Sequence, residues 1–197
     1  MHLLHVFSFS VLAALCSAYK PPSDLEDGIY MVDPTAQIAQ SAKFASNFDN
    51  DGLIRVGDLT QHTGFNHTTQ FSRRDDFTQH PRETKCETYD TMLLADYTVA
   101  MNSFADRCTK EKVPARKKNG LICSGKQGIL FVKAGGSIVY HCNVSCQKQN
   151  CGGGHIAPFE DWADQICGSL KGAWFYSSWD FTMGRDEWGS EFCRQTI

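Results

Sequence analysis

The stretch Gly128-Ile129-Leu130-Phe131-Val132-Lys133-Ala134-Gly135-Gly136-Ser137-Ile138-Val139-Tyr140-His141-Cys142 decides how this chain is read. Two runs rich in β-branched and aromatic residues, Ile129-Leu130-Phe131-Val132 and Ile138-Val139-Tyr140, flank a Gly-Gly pair. Glycine permits the positive backbone angles of a tight turn, so the stretch predicts a β-hairpin. Upstream, Leu93, Tyr97, Ala100, Met101, Phe104 and Cys108 recur every three or four residues, predicting a helix over 90–108 with Asp90 as its N-cap. Downstream, a glycine and cysteine loop leads to a second helix beginning near Pro158. Phe159, Trp162, Ile166 and Leu170 form its apolar face. Residues 173–179 read as a last strand, and another is expected near Cys86. The order β-α-β-β-α-β predicts an α+β fold, a split sandwich with two helices on one face of a largely antiparallel sheet.

The hairpin ends in one of nine cysteines, a high count for 197 residues. Residues 1–18 read as a signal peptide: 3–15 is almost continuously apolar, and Cys16-Ser17-Ala18 places small residues before a cleavage site after Ala18. That apolar run is too short for a membrane span, which needs about 20 residues. Removing it leaves Cys86, Cys108, Cys123, Cys142, Cys146, Cys151, Cys167 and Cys193, an even set that in an oxidising compartment implies up to four disulfides of undetermined pairing. Two Asn-x-Ser/Thr sequons, at Asn66 and Asn143, are candidate glycosylation sites. The second is crowded between Cys142 and Cys146. A secreted, extracellular protein is expected.

The segment 19–74 has no cysteine and is polar. Its strand candidates are 28–32 and 53–56, with a weak amphipathic helix over 35–48 between them. It ends at Arg73-Arg74, the dibasic pattern that secretory processing proteases cut. The segment is either a pro-segment or an N-terminal arm that stays attached, preceding a disulfide-rich domain of 75–197. A second basic cluster, Lys110, Lys112, Arg116, Lys117 and Lys118, contains Pro114 and reads as a loop. It admits three readings: a solvated loop, a second processing site, or a contact patch for an anionic partner.

The signal peptide, polar leading segment with dibasic end, and β-α-β-β-α-β cysteine-rich domain together resemble fungal small secreted cysteine-rich proteins. These include the killer-toxin-like α/β sandwiches and the plant-pathogen effectors related to them in shape. The stretches Ile138-Val139-Tyr140-His141-Cys142 and Met183-Gly184-Arg185-Asp186-Glu187-Trp188-Gly189-Ser190-Glu191-Phe192-Cys193 have the same character. The resemblance covers about 86–193, rests on architecture, and carries over no functional residues. It implies a toxin, effector (virulence) or defence-related role.

Motif chemistry points away from cofactors. Cys142-x3-Cys146-x4-Cys151-x3-His155 approximates a Cys3His zinc spacing, but its first interval is short and the compartment oxidising, so disulfides and no metal are expected. There is no G-x-S-x-G nucleophile motif, and an even cysteine count leaves no lone reactive thiol. His141 with Glu160, Asp161 and Asp164 could assemble acid–base chemistry. Equally, His141 could occupy the solvent face of the sheet and the carboxylates could be helix-start residues. Gly152-Gly153-Gly154 reads as a connector. In the aromatic tail, Trp179, Trp188 and Arg185 fall in loop-like sequence and are candidate contact residues for protein or glycan.

The net charge of −3 gives no global basic field for nucleic acid. The sequence thus predicts a monomeric, secreted effector or toxin-like binding protein, without catalysis or cofactor and without stable membrane insertion, engaging an extracellular protein or glycan. The alternative is a small secreted hydrolase such as a ribonuclease.

Overall fold

The computed structural model describes residues 18–35, 52–60, 82–87 and 91–193. In chain order the elements are β1 (Gly28–Val32), β2 (Leu53–Gly57), β3 (Glu83–Cys86), α1 (Leu94–Lys110), β4 (Lys112–Val113) and β5 (Gly128–Ala134). They continue with β6 (Ser137–Asn143), β7 (Gln149–Asn150), α2 (Gly153–Ile166), β8 (Ala173–Ser177) and β9 (Phe181–Glu187).

The expected hairpin is β5–β6, with Phe131 opposite Tyr140 and Val132 opposite Val139. Every residue of both strands is buried, as an unbroken apolar run requires when both faces of a sheet are covered. Its turn uses Gly135 at φ +52°. The turn is held by two carboxylates: Asp27 accepts from the Gly135 amide and Asp96, on α1, from the Gly136 amide.

Around this hairpin lies a seven-stranded sheet in the order β2-β1-β5-β6-β9-β8-β3, with antiparallel neighbours throughout. The α+β class and the two helices on one face are therefore as expected, on a wider sheet. α1 and α2 cover that face through Tyr97, Met101, Phe104, Ile156, Phe159 and Ala163, which pack on Leu130, Val139, Phe175 and Met183. The opposite face carries Tyr30, Phe131, Ile138, Tyr140 and Trp174, closed over by Leu25, Phe192 and Cys193. Rings stack there at 4.7 Å between Tyr140 and Phe192 and at 5.3 Å between Tyr30 and Phe131.

Strand β9 differs from the sequence reading, which placed 181–188 in a loop. Phe181-Thr182-Met183-Gly184-Arg185-Asp186-Glu187 lacks a clean alternation because it carries a glycine and a buried arginine. The glycine is required by close approach: a Cβ on Gly184 would lie 2.3 Å from the Tyr140 ring on the adjacent strand. A strand interior tolerates glycine where another group must come that near.

The leading segment contributes to the same sheet. β1 pairs along its whole length with β5, from Gly28 opposite Lys133 to Val32 opposite Ile129. Tyr19 and Phe192 exchange backbone hydrogen bonds of 2.8 and 3.0 Å. Of the helix expected over 35–48, residues 36–48 lie outside the described residues, as do Asn66, Arg73 and Arg74. Asp90 lies outside them too, and it is not the N-cap of α1: the helix starts at Leu94, with Leu93 in that position and 91–93 non-helical.

Helix α2 starts at Gly153, five residues before the expected Pro158, which sits inside it. The glycine run read as a connector is its first turn. Proline there leaves one intrahelical bond unmade but keeps a helical φ.

The eight cysteines form four disulfides: Cys86–Cys167, Cys108–Cys151, Cys123–Cys146 and Cys142–Cys193. A disulfide is worth about 2–4 kcal/mol by restricting the unfolded chain. Among the described residues, no helix is long and apolar enough to cross a membrane.

Candidate functional site

Of the acid–base candidates, Glu160 and Asp164 meet Arg185 between the helices and β9, whereas Asp161 is exposed and His141 makes no hydrogen bond to them. Arg185 projects from β9 into the helix-covered core, where it is 1% exposed. Its guanidinium is fully engaged. Nη1 donates to Glu160 on α2 at 3.0 Å and to the Tyr97 hydroxyl on α1 at 3.3 Å. Nη2 donates to Asp164 at 2.7 Å and to the Gly168 carbonyl at 3.1 Å, and Nε to the Lys171 carbonyl at 2.9 Å. The Tyr97 hydroxyl also donates to Glu160. A planar fork of five donors suits such a site, where lysine would satisfy fewer acceptors.

Burial pushes the Glu160 carboxyl up to about 7, against the opposing pull of Arg185. Such a value would suit proton transfer. Glu160 is nevertheless enclosed with its partners, so the network pins α1, α2 and β9 together. Arg185 is thereby corrected from a contact residue to an internal one. Nothing local signalled this role, since a charged residue in a segment without clean alternation reads as surface.

His141 is corrected likewise. It sits on β6 opposite Met183 and is wholly buried on the helix-covered face, not the solvent face. Its ring stacks on Phe181 at 4.6 Å, and His155 stacks on Phe181 at 4.9 Å. Neither ring nitrogen of His141 has a hydrogen-bond partner among the described residues. Burial, and then the neighbouring His155, lowers its pKa to about 3, so the ring is neutral across the ordinary pH range.

The two candidate tryptophans occupy opposite ends of β9. Trp179 lies in the β8–β9 turn, 48% exposed, with its carbonyl accepting from the Gln149 side chain at 2.7 Å. Its indole lies 5.2 Å from His155. Trp188 is half-buried beyond the other end, its ring under the Lys133 ammonium at 5.1 Å. They do not form one surface.

Asn143 is buried, and its side-chain amide donates to the carbonyls of Val113, Pro114 and Gln147 at 3.3, 2.8 and 2.7 Å. A glycan on that nitrogen is incompatible with this arrangement, so the sequon is corrected to a structural asparagine. The cysteines of the zinc-like spacing belong to three different disulfides, with His155 in the aromatic stack.

The basic loop supplies residues that sequence reasoning did not single out. Leu121 and Ile122 sit at its tip, fully exposed and 68% exposed respectively. The signal was Gly120 in front of an aliphatic pair in an otherwise polar stretch.

Compared with protein-family models, curated proteins and solved structures, the chain matches none.

Proposed function

We propose that this protein is secreted and acts outside the producing cell as an effector or toxin-like binding protein, without catalysis. The observation that carries the reading is Trp179, a large aromatic half in solvent at a sheet-end turn. Its backbone is fixed by Gln149 and its ring flanked by His155. A preorganised, exposed aromatic with polar neighbours is the feature binding surfaces use for protein or glycan contact. Four disulfides support an extracellular setting. Cleavage after Ala18 would leave the Tyr19 nitrogen able to keep its bond to Phe192. The toxin-like and fungal character rests on the architecture alone.

The test is binding of the purified, oxidised chain to panels of extracellular glycans and host-surface proteins, beside a ribonuclease assay. Saturable binding that Trp179→Ala abolishes, with the disulfides intact by mass, supports the reading. RNA cleavage by the wild-type chain would replace it with the hydrolase.

A further inference from the structure

The loop between β4 and β5 is a pinned finger. At its base the Lys117 amide donates to the Lys126 carbonyl and the Gly125 amide to the Lys117 carbonyl, each at 2.9 Å. The Arg116 side chain donates to the Gly125 carbonyl at 2.7 Å. Cys123 ties the finger to Cys146 in the loop after β6. At the tip, Asn119 and Ile122 exchange backbone hydrogen bonds across Gly120 and Leu121. Gly120 takes φ +64°, the conformation the first central position of such a primed turn needs. Leu121 is fully exposed and Ile122 is 68% exposed. A braced turn holds both side chains outward, away from the core. Behind them Lys112, Lys117, Lys118 and Lys126 are exposed, and no Asp or Glu occurs between Lys112 and Gln127. The preceding Glu111 is engaged by Arg107.

We propose that this finger is a peripheral docking element for an anionic lipid bilayer, with Leu121 and Ile122 entering the interface and the lysines contacting headgroups. The charge is local: five cations and no carboxylate in 112–127, on a chain whose net charge is −3. That asymmetry selects an anionic partner for this face. The type of apolar residue selects among anionic partners. Single-stranded nucleic acid is held by aromatic stacking, and the finger has no aromatic residue. Protein hot spots favour Trp, Tyr and Arg seated in pockets, whereas here two aliphatic side chains project freely. Aliphatic side chains ringed by lysines match hydrocarbon below a layer of negative headgroups.

The experiment is co-sedimentation of the full, oxidised chain with phosphatidylcholine vesicles, with and without about 30% phosphatidylserine. Binding is expected to the anionic vesicles alone and to fall as salt rises to about 0.5 M. The paired variants Leu121→Asp with Ile122→Asp, and Lys117→Glu with Lys118→Glu, should each lower the partition at least about tenfold. Both pairs are exposed, so the fold should persist, checked by circular dichroism and by thiol count before and after reduction. Absence of wild-type binding overturns the proposal. So does binding that the tip variant leaves intact, or that soluble heparin or RNA reproduces with the same lysine dependence and no dependence on the tip.

Discussion

Arg185 and Glu160 meet at 3.0 Å inside the protein, with side-chain exposures of 1% and 2%. The pair links the strand between β6 and β8 to the second helix. Removing one partner of a buried pair leaves an uncompensated charge. Arg185→Met should therefore destabilise by about 3–5 kcal/mol. Adding Glu160→Leu should recover a large part of that loss, because apolar replacements of both partners strand no charge. Urea unfolding of the two single variants and the double variant measures this. Equal and additive losses would show that the ion pair is not the organising contact.

Two buried groups set opposite pH trends. The Glu160 carboxyl is raised from 4.5 to about 7 in the folded state. Its contribution is full below pH 4.5 and is lost as pH rises toward 7. His141 is lowered from 6.5 to about 3. Its contribution is full above pH 6.5 and is lost as pH falls toward 3. The slopes oppose one another where the windows overlap, so instability below that overlap comes from His141 together with Asp27. Despite burial, the Asp27 carboxyl is held below its ordinary value by Lys133 and the Gly135 amide. His141→Met should raise the urea midpoint at pH 4 and change it far less at pH 8. A shift of the same size at both values would mean that the buried imidazole does not govern acid stability. Glu160→Gln should flatten the fall between pH 4.5 and 7.

Gly128→Ala should be among the most damaging single-methyl changes. A Cβ there would lie 1.9 Å from the Pro114 carbonyl oxygen, a backbone atom that cannot swing aside. A loss of about 1–3 kcal/mol is expected from the overpacking. It should show as a lower melting temperature with the disulfides unchanged. Gly120→Ala meets no atom within 4 Å; its cost comes only from the positive φ and should be smaller.

Asn143 should carry no glycan when the chain is expressed through a secretory pathway, which peptide mass mapping after glycosidase treatment will show. Asn143→Ala should cost about 1–3 kcal/mol, since three carbonyls lose their donor.

A chain begun at residue 75 should fold poorly. It would bare the β5 edge along Ile129–Lys133 and uncover Phe131, which Tyr30 and Tyr19 now pack against. Supplying 19–74 as a separate polypeptide should restore a monomeric species by size exclusion. Exposed edges of this kind promote association. If the shorter chain is monomeric and stable alone, β1 is dispensable.

The hairpin was legible because Ile129-Leu130-Phe131-Val132 and Ile138-Val139-Tyr140 have no competing interpretation once a Gly-Gly turn separates them. The first helix was legible from Tyr97, Met101, Phe104 and Cys108 on one stripe. Strand β9 was not, because the residues that let it pass through the core, Gly184 and Arg185, are those that local propensity counts against a strand. Their justification lies in Tyr140 and in Glu160 and Asp164, which are distant in sequence. The internal positions of His141 and Arg185 were hidden for the same reason. Polar type suggests a surface, and only tertiary partners, or an aromatic stack, reverse that. Residues 28–32 and 53–56 were readable as strands, but nothing local told that 28–32 lies beside Ile129–Lys133.

The disulfide pattern bears on how the chain is made. Three bridges are concentric: Cys123–Cys146 lies within Cys108–Cys151, and that within Cys86–Cys167. As synthesis proceeds, each can close around the one before it. Cys142 breaks the sequence, since its partner Cys193 emerges after every other cysteine. Cys86 has the longest wait for its partner, 81 residues, but Cys142 is the last of the pairing sulfurs to be joined, with Cys146 and Cys151 close by along the chain. Scrambled isomers should therefore begin at Cys142, and the yield of native protein should depend on an isomerase that keeps this one sulfur available until Cys193 has emerged.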